Sequence, residues 1–300
     1  MILITGANGN LGRRLIASLA GRAPVRAVVR SERAARMLDD SPGEVDVRII
    51  DYLDSAAMSE AAAGCSHIVH LVGIIKESAG SSFTAAHEGT SRVVVEAARA
   101  AGVLNVVNLS ILGARPDSAN ACLASKGRAE AILRESGVPT LVLRVPMVLG
   151  EGDYATRALF HRARGKVAFQ FRAASLEQPI YAGDVLAAMR PGLGPAGECL
   201  SGSFDLAGPE SLSRRALTRR AAEIMGVPAP RVISLPIGLG FALAALLERL
   251  SANPPVSRAM LGVLDHDDHI DPGPALKALD LSLTSLNEAL RLCLVDSAPG

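Results

Sequence analysis

Three glycines near the start of the chain pose the first chemical question. Thr5-Gly6-Ala7-Asn8-Gly9-Asn10-Leu11-Gly12 follows the apolar run Met1-Ile2-Leu3-Ile4, and Leu11, Leu15, Ile16 and Leu19 continue at helical spacing. Strand, glycine loop and helix in that order present backbone N–H groups to an anion, above all to the pyrophosphate of a dinucleotide. Gly6 allows the tight turn, Gly9 lets the main chain approach phosphate, and Gly12 lets the helix lie close on the strand. The spacing is G-x-x-G-x-x-G rather than G-x-G-x-x-G, and an ordinary strand-to-helix turn also uses glycines. The flanking strand and helix favour the nucleotide reading, so Thr5, Gly6, Asn8, Gly9, Asn10, Leu11 and Gly12 are the first candidate binding residues.

A dinucleotide also needs a partner for its adenosine ribose. A second strand, Val25 to Val29, ends on Arg30, with Ser31 and Arg33 close by. A carboxylate there would hold a ribose 2′-hydroxyl, whereas a guanidinium suits a 2′-phosphate. The expected cofactor is NADP(H), with NAD(H) as the alternative, and a solvated arginine at a strand end is the competing account of Arg30. Asp51-Tyr52 closes a third run, Val45 to Ile50, where the carboxylate can accept from an adenine amino group or cap a helix.

Nothing in the spacing points to a metal. Cys65, Cys122, Cys199 and Cys293 show no C-x-x-C pattern, so reduced thiols in a cytoplasmic setting are expected. Asp265-His266-Asp267-Asp268-His269 looks like a ligand cluster but reads better as a solvated loop before Pro272.

The elements that must position these groups alternate. After the first three runs come His67 to Val72, a helix from Val93 to Ala101 ended by Gly102, a strand Leu104 to Leu109, a helix Ala121 to Ser136 and a strand Thr140 to Val145. Strands alternating with helices predict an α/β fold with a doubly wound parallel sheet. The rhythm breaks after Gly150: a helix near Thr156 to Ala163, a strand over Val167 to Phe171, another ending at Ile180-Tyr181, and a helix starting at Asp184. Pro191 to Gly197 reads as a surface loop, Ser211-Leu212-Ser213 as the cap of a helix to Met225, and 234–293 as helices split by Asn253-Pro254-Pro255. The expected division is a dinucleotide-binding domain over 1–150, with a strand and helix from about 175–205 returning to it. A smaller, mostly helical substrate lobe over 151–174 and 206–300 is expected above the carboxyl ends of the strands.

Composition narrows the partners. With 31 basic and 30 acidic residues and no basic tract, nucleic acid is not an expected ligand. The apolar window Leu235 to Leu247 is too short to span a bilayer and is followed by Glu248-Arg249, so it predicts a buried or interface helix, with peripheral membrane contact as the second reading. No leader is expected, since a strand begins at residue 2. Three tyrosines, six phenylalanines and no tryptophan offer no stacking platform for a substrate. The loops 73–86, 111–121 and 150–176 would meet a small-molecule substrate. Arg157, Arg162, Arg164 and Arg172 could face an anionic group of it or lie solvated. Both monomer and homodimer are compatible with the pattern.

Several patches together resemble the extended and atypical branches of the short-chain dehydrogenase/reductase superfamily, with its Rossmann-like NAD(P)-binding sheet. They are Thr5 to Gly12, Asp51, Ser110, Lys126 and Leu143 to Gly150. Val69 to Glu77, His87 to Thr90, Tyr181 to Val185 and Leu206 to Glu210 are similar to atypical members such as the NADPH-binding accessory subunit of respiratory complex I and to epimerase/dehydratase-like proteins. The resemblance adds Leu71, Val72, Gly73, Lys126 and Val145 to the expected cofactor contacts. It also implies an acid–base set in which a serine and a lysine flank a tyrosine four residues before the lysine.

Ser110 and Lys126 match the first two of these. Cys122 stands where the tyrosine is expected, at i, i+4 spacing from Lys126. Cys122 either replaces the acid, aided by the neighbouring cation, or fills the space of a lost tyrosine. Tyr154 is the outside candidate for the missing hydroxyl. His87 and Thr90 open the helix before the fifth strand, and capping accounts for Thr90. The implied function is an NADP(H)-dependent oxidoreductase or epimerase-type enzyme with an altered acid–base set. The alternative is an NADPH-binding structural or assembly subunit, or a redox sensor, without turnover.

Overall fold

The computed structural model describes residues 1–78, 80–251, 254–263 and 265–296. It divides into two compact units, one of Met1–Arg144 with Ala188–Phe204, the other of Val145–Ala187 with the chain from Asp205 onward.

The first unit carries β1 (Ile2–Thr5), α1 (Asn10–Leu19), β2 (Val25–Val29), α2 (Glu32–Arg36), β3 (Val45–Ile49), α3 (Ser55–Ala62), β4 (His67–His70), α4 (Thr90–Ala101), β5 (Asn105–Ile111), α5 (Ala121–Arg134) and β6 (Thr140–Val145). The sheet runs β6-β5-β4-β1-β2-β3, with the strand Gly202–Asp205 outside β6. β1 pairs in parallel with β2 and β4, β2 with β3, and β4 with β5. Every residue of β1 is buried, as a strand covered on both faces of a doubly wound sheet must be. Hence its unbroken apolar run instead of alternation. One face is filled by Met58, Ala61, Val94 and Ala98 of α3 and α4 against Leu3, Val28, Ile68 and Val106. Strand order reverses between β1 and β4, so the loops after these strands diverge and open a crevice at their carboxyl ends.

Several boundaries differ from the sequence reading. β4 stops at His70 rather than Val72, and Leu71 to Ile74 leave the ladder. α4 starts at Thr90 behind a π-helical turn, Thr84–Gly89. Thr90 therefore caps nothing: its hydroxyl donates back to the Ala86 carbonyl at 2.8 Å and lies 3.2 Å from His70 Nε2. Asp51 is not a helix cap either. Asp54 caps α3 by accepting from Ala57 N, while Asp51 accepts from Leu53 N at 3.0 Å.

The stretch Pro191 to Gly197 is exposed over Pro195 to Gly197 and anchored at its start. Gly192 is buried in a 3₁₀ turn, Arg190–Leu193. Asn105 Nδ2 donates to the carbonyls of Gly192 and Leu200, and His67 Nε2 lies 3.0 Å from that of Gly194. Two buried polar side chains of the sheet take their partners from this segment, as buried polar groups require.

The helix that matters most for the site is α5, capped by Asn120, whose side chain accepts from Cys122 N and Leu123 N. It approaches the turn after β5 so closely that a Cβ on Gly127 would stand 2.2 Å from the Arg115 carbonyl carbon. Gly127→Ala is expected to push α5 off that turn and cost about 1–3 kcal/mol. Urea titration of the variant against the wild type reads the loss, and an unchanged midpoint would refute the close approach.

The second unit holds helices Tyr154–Arg164, Arg214–Ile224, Ile237–Leu250, Arg258–Val263, Gly273–Leu279 and Leu286–Arg291. Leu149, Leu159, Leu217, Ala221 and Leu290 are among its core. Val167–Phe171 pairs in parallel with Arg231–Leu235, so the region expected to be helical from 234 opens on the end of a strand. Asp184 lies in the first turn of Ala182–Met189 rather than starting it, and accepts from the hydroxyl of Thr284 at 2.8 Å. Ser213 is the cap of Arg214–Ile224. Asn253 lies outside the described residues, as does Ala79 of the loop 73–86. The helix Ile237–Leu250 buries Gly240 and Ala244 but leaves Leu239, Leu243, Leu246 and Leu250 exposed. No helix among the described residues is long and apolar enough to cross a membrane.

Candidate functional site

The crevice of the first unit is a cleft of about 680 Å³. Gly6, Asn8 and Gly9 form its floor from the loop after β1. Gly6 has φ +72°, and a Cβ there would stand 3.1–3.2 Å from the main chain of Leu71 and Val72. Gly12 is buried, and its Cβ would lie 2.5 Å from the Ala7 carbonyl oxygen. Both sites exclude a side chain, so the loop is held flat against the sheet. Gly9 is the N-cap of α1 and gives no side-chain cap, and no acidic residue stands in the first turn. α2, α3 and α5 are all capped by side chains. α1 thus directs the positive end of its dipole toward the cleft floor with no side-chain carboxylate competing there.

The adenosine end is defined by Arg30, Ser31, Asp51 and Tyr52, all lining the cleft. Arg30 is exposed, with its guanidinium 5.7 Å from the centre of the Tyr52 ring. The Tyr52 hydroxyl donates to the Val28 carbonyl at 3.1 Å and accepts from Gly6 N at 3.0 Å, tying the glycine loop to β2. Burial, offset in part by the Gly6 amide and Arg30, holds its pKa above the ordinary phenol value. Leu71, Val72, Gly73 and Ile74 form the wall after β4, and Ser81, Ala85, Ala86 and Thr90 form the opposite side.

Other sequence-selected residues lie elsewhere. Thr5 is buried with its hydroxyl 2.7 Å from His70 Nδ1. The side-chain oxygen of Asn10 accepts from Arg14 Nε. Leu11 and Gly12 belong to α1, and Val145 ends β6. None of these five lines the cleft.

A polar cluster lies behind the cleft wall. Lys126 Nζ donates to the Leu109 carbonyl at 3.1 Å and would meet a Cβ on Gly73 at 2.9 Å. Burial, countered by Cys122 and Glu130, lowers the Lys126 pKa to about 8. Cys122 is buried and its thiol donates to the Ile74 carbonyl at 3.6 Å. Burial outweighs Lys126 and pushes that thiol up to about 11. Ser110 donates its hydroxyl to Glu130, which is also held by Arg144 through Nη2 at 2.6 Å and Nε at 2.9 Å. Tyr154 belongs to the second unit, at the first position of its helix, and is 70% exposed.

Sequence reasoning gave no role to His70 or His87. His70 is bracketed by Thr5 and Thr90, and His87 Nε2 accepts from Ile74 N at 3.1 Å. Burial, reinforced by Lys126, holds both near a pKa of about 3. In the second unit, His266 Nε2 contacts Asp268 at 2.9 Å, and the described residues include no group of His, Cys, Asp or Glu able to hold a metal.

A family described as NAD(P)H-binding matches residues 6–169, a span that contains the glycine loop, the cleft walls and Lys126. The chain belongs to this NAD(P)H-binding family. Its place is in the atypical short-chain dehydrogenase/reductase superfamily. The chain is 34% identical to ceramide reductase of Caulobacter vibrioides over 165 residues, 54% of this chain and 51% of that protein. It is 26% identical to NADH dehydrogenase [ubiquinone] 1 alpha subcomplex subunit 9, mitochondrial, of Arabidopsis thaliana over 253 residues, 81% of this chain and 62% of that one. The matched regions thus span about half and three fifths of these relatives. The fold is shared with WbmG of Bordetella bronchiseptica, solved with NAD and UDP: TM-score 0.73, 19% identity, covering 97% of this chain and 91% of that one.

The glycine cradle fits the dinucleotide of an NAD(P)H-binding protein, because a side chain at Gly6 is excluded by the main chain on which the loop rests. Ser81, Ala85 and Ala86 of the cleft fall in the loop 73–86 expected to meet substrate, but none was singled out by itself. They lie on the far side of the loop after β4, and no local pattern announces which of its residues turn inward.

Proposed function

We propose that the chain binds NADP(H) in the cleft of the first unit and acts as a reductase whose proton donor is Lys126. The observation that carries this is the position of Lys126: its Nζ packs against Gly73 of the cleft wall, at a pKa of about 8, on a helix face without a tyrosine. Bound NADPH supplies hydride. Everything else falls to the chain's own residues. Gly6 and Gly9 shape the turn, the first-turn amides of α1 from Asn10 onward face the pyrophosphate, and the dipole of α1 favours its charge. Arg30, with Ser31 beside it, meets a 2′-phosphate, since no carboxylate ends β2. Asp51 sits at the adenine side. Lys126 can give up a proton near neutral pH, as a general acid must. Cys122 is the small residue in the space of the missing tyrosine: its thiol is spent on the Ile74 carbonyl. Ceramide reductase is among the chain's relatives, which agrees with a reductase reading.

A second reading, an NADPH-holding subunit without turnover, is favoured by one observation: the Ser110 hydroxyl is committed to the Glu130–Arg144 ion pair. Incubating the protein with NADPH and a panel of carbonyl and enone compounds separates the two. Oxidation of NADPH with any of them supports the reductase. Tight NADPH binding with no oxidation across the panel overturns it in favour of the second reading.

Cofactor choice is tested separately. Arg30→Glu is expected to weaken NADPH at least tenfold and to leave NADH unchanged or improved, read by fluorescence titration of both. Tighter NADH than NADPH binding by the wild type would refute the assignment of Arg30.

A further inference from the structure

The second unit contains a cavity of its own, of about 150 Å³. Its polar lining is unusual. Arg162 and Arg214 both reach it, and Glu177 is the one carboxylate lining it. Glu177 contacts Arg214 Nε at 2.9 Å, and Arg214 Nη1 donates to the Phe171 carbonyl at 3.0 Å. The Nε of Arg162, in contrast, is buried without a hydrogen-bond partner among the described residues. Gln170 is 7% exposed; its Nε2 donates to Thr218 at 2.6 Å, and its Oε1 is buried without a partner. Two guanidinium groups thus share one carboxylate, and one face of a buried amide is unused beside them.

Buried polar groups are nearly always satisfied, and a buried cation calls for an anion. The rest of the lining says which anion. Phe169, Phe171, Leu217, Ile237 and Leu261 supply the remaining walls, so half of the ten lining residues are apolar. Water needs two to four polar partners and would leave these walls wetted. Inorganic phosphate would leave them bare. A carboxylate on a hydrocarbon stem uses both halves: one oxygen accepts from Arg162, the amide of Gln170 bonds the other with its N–H turned inward, and the stem covers the apolar side.

We infer that this cavity is a binding site for an organic monocarboxylate with a short hydrocarbon stem, held by Arg162 and Gln170.

The full chain titrated calorimetrically with sodium hexanoate is expected to bind one equivalent. Hexanamide, with the same stem and no charge, is expected to bind at least tenfold more weakly, and so is inorganic phosphate. Arg162→Gln should lose at least tenfold of the hexanoate affinity. Leu261→Trp, which keeps both guanidinium groups and fills the apolar half, should abolish it. The thermal midpoint of each variant reports folding, and a lower hexanoate affinity counts only in a variant that melts as one transition. The inference is overturned by absence of hexanoate binding to the wild type, by undiminished binding to a folded Arg162→Gln, or by phosphate binding as tightly as hexanoate. The cofactor titrations above use other residues, so either reading can fail alone.

Discussion

Lys126→Met is expected to reduce NADPH-dependent turnover by about 10²–10⁴-fold, the usual contribution of a positioned general acid, while leaving the protein folded. The two halves of this expectation come from the same fact. Lys126 is buried enough for its pKa to fall to about 8, and its hydrogen-bond acceptor is a neutral carbonyl, that of Leu109. A buried cation held this way costs stability, so an isosteric apolar side chain should raise the thermal midpoint or leave it unchanged. A structural lysine would behave the other way, with stability falling and turnover following it. The pH profile is the sharper readout. Below about 8 the ammonium carries the proton that the reaction consumes, and above it the donor is empty. The rate with wild type should therefore fall as pH rises through about 8. Lys126→Arg keeps the charge but does not titrate in this range, so whatever activity it retains should lack that falling limb. Cys122→Ala should leave the rate at low pH unchanged and move the falling limb to lower pH, since Cys122 raises the Lys126 pKa. Turnover of Lys126→Met within threefold of wild type would remove Lys126 from the chemistry.

The site was unevenly legible in the sequence. The glycine loop could be read because its demands are local: a positive φ at Gly6 and a close approach at Gly12 both leave a glycine behind. Arg30 could be read because β2, although it contains Arg26, ends on Val28-Val29 directly before Arg30-Ser31. The partner of Ser110 could have been found too. Cys122, Lys126 and Glu130 recur at spacing four, which sets all three along one side of α5, yet the reading stopped at Lys126. Arg144, the other end of that ion pair, comes from the next strand and carries no local signal. His70 was hidden for a similar reason: within Ile68-Val69-His70-Leu71 it reads as one more strand residue, and only Thr5 and Thr90, 65 and 20 positions away, explain its burial. The π-turn at Thr84–Gly89 escaped because its extra residue leaves the apolar periodicity of α4 almost intact. In the second unit, Val167–Phe171 and Arg231–Leu235 pair across some sixty residues, so neither run announces its partner.

At pH 5 the protein should be about 4 kcal/mol less stable than at pH 7, through His70 and His87 together, about 2 kcal/mol from each. Both imidazoles are held neutral in the fold, with pKa values near 3 set first by burial and then by Lys126. In the unfolded chain each takes a proton below about 6.5. The unfolded state thus binds more protons across this range, and stability falls with pH. The full contribution is present above 6.5 and is lost progressively as pH drops toward 3. Carboxylates act on both sides of this window: burial raises Asp184 and Glu177 above their ordinary values, so these two favour the fold as pH falls and offset part of the loss. Asp46 and Glu88 are lowered below their ordinary values, Glu88 by hydrogen bonds from Arg128 and Ser125 that outweigh its burial, so their contribution disappears only at lower pH. His67 acts in the same direction, through burial. His266 opposes it, since the hydrogen bond it donates to Asp268 raises its pKa and favours the fold as pH falls; His266→Asn removes that offset. Urea unfolding of His266→Asn at pH 7 and pH 5 should show the largest difference, and His70→Gln in that background should lose about half of it. Imidazole proton shifts of His70 and His87 that move with a midpoint above pH 5 in the folded protein would contradict the whole scheme, because a histidine already charged in the fold gives unfolding nothing to gain from acid.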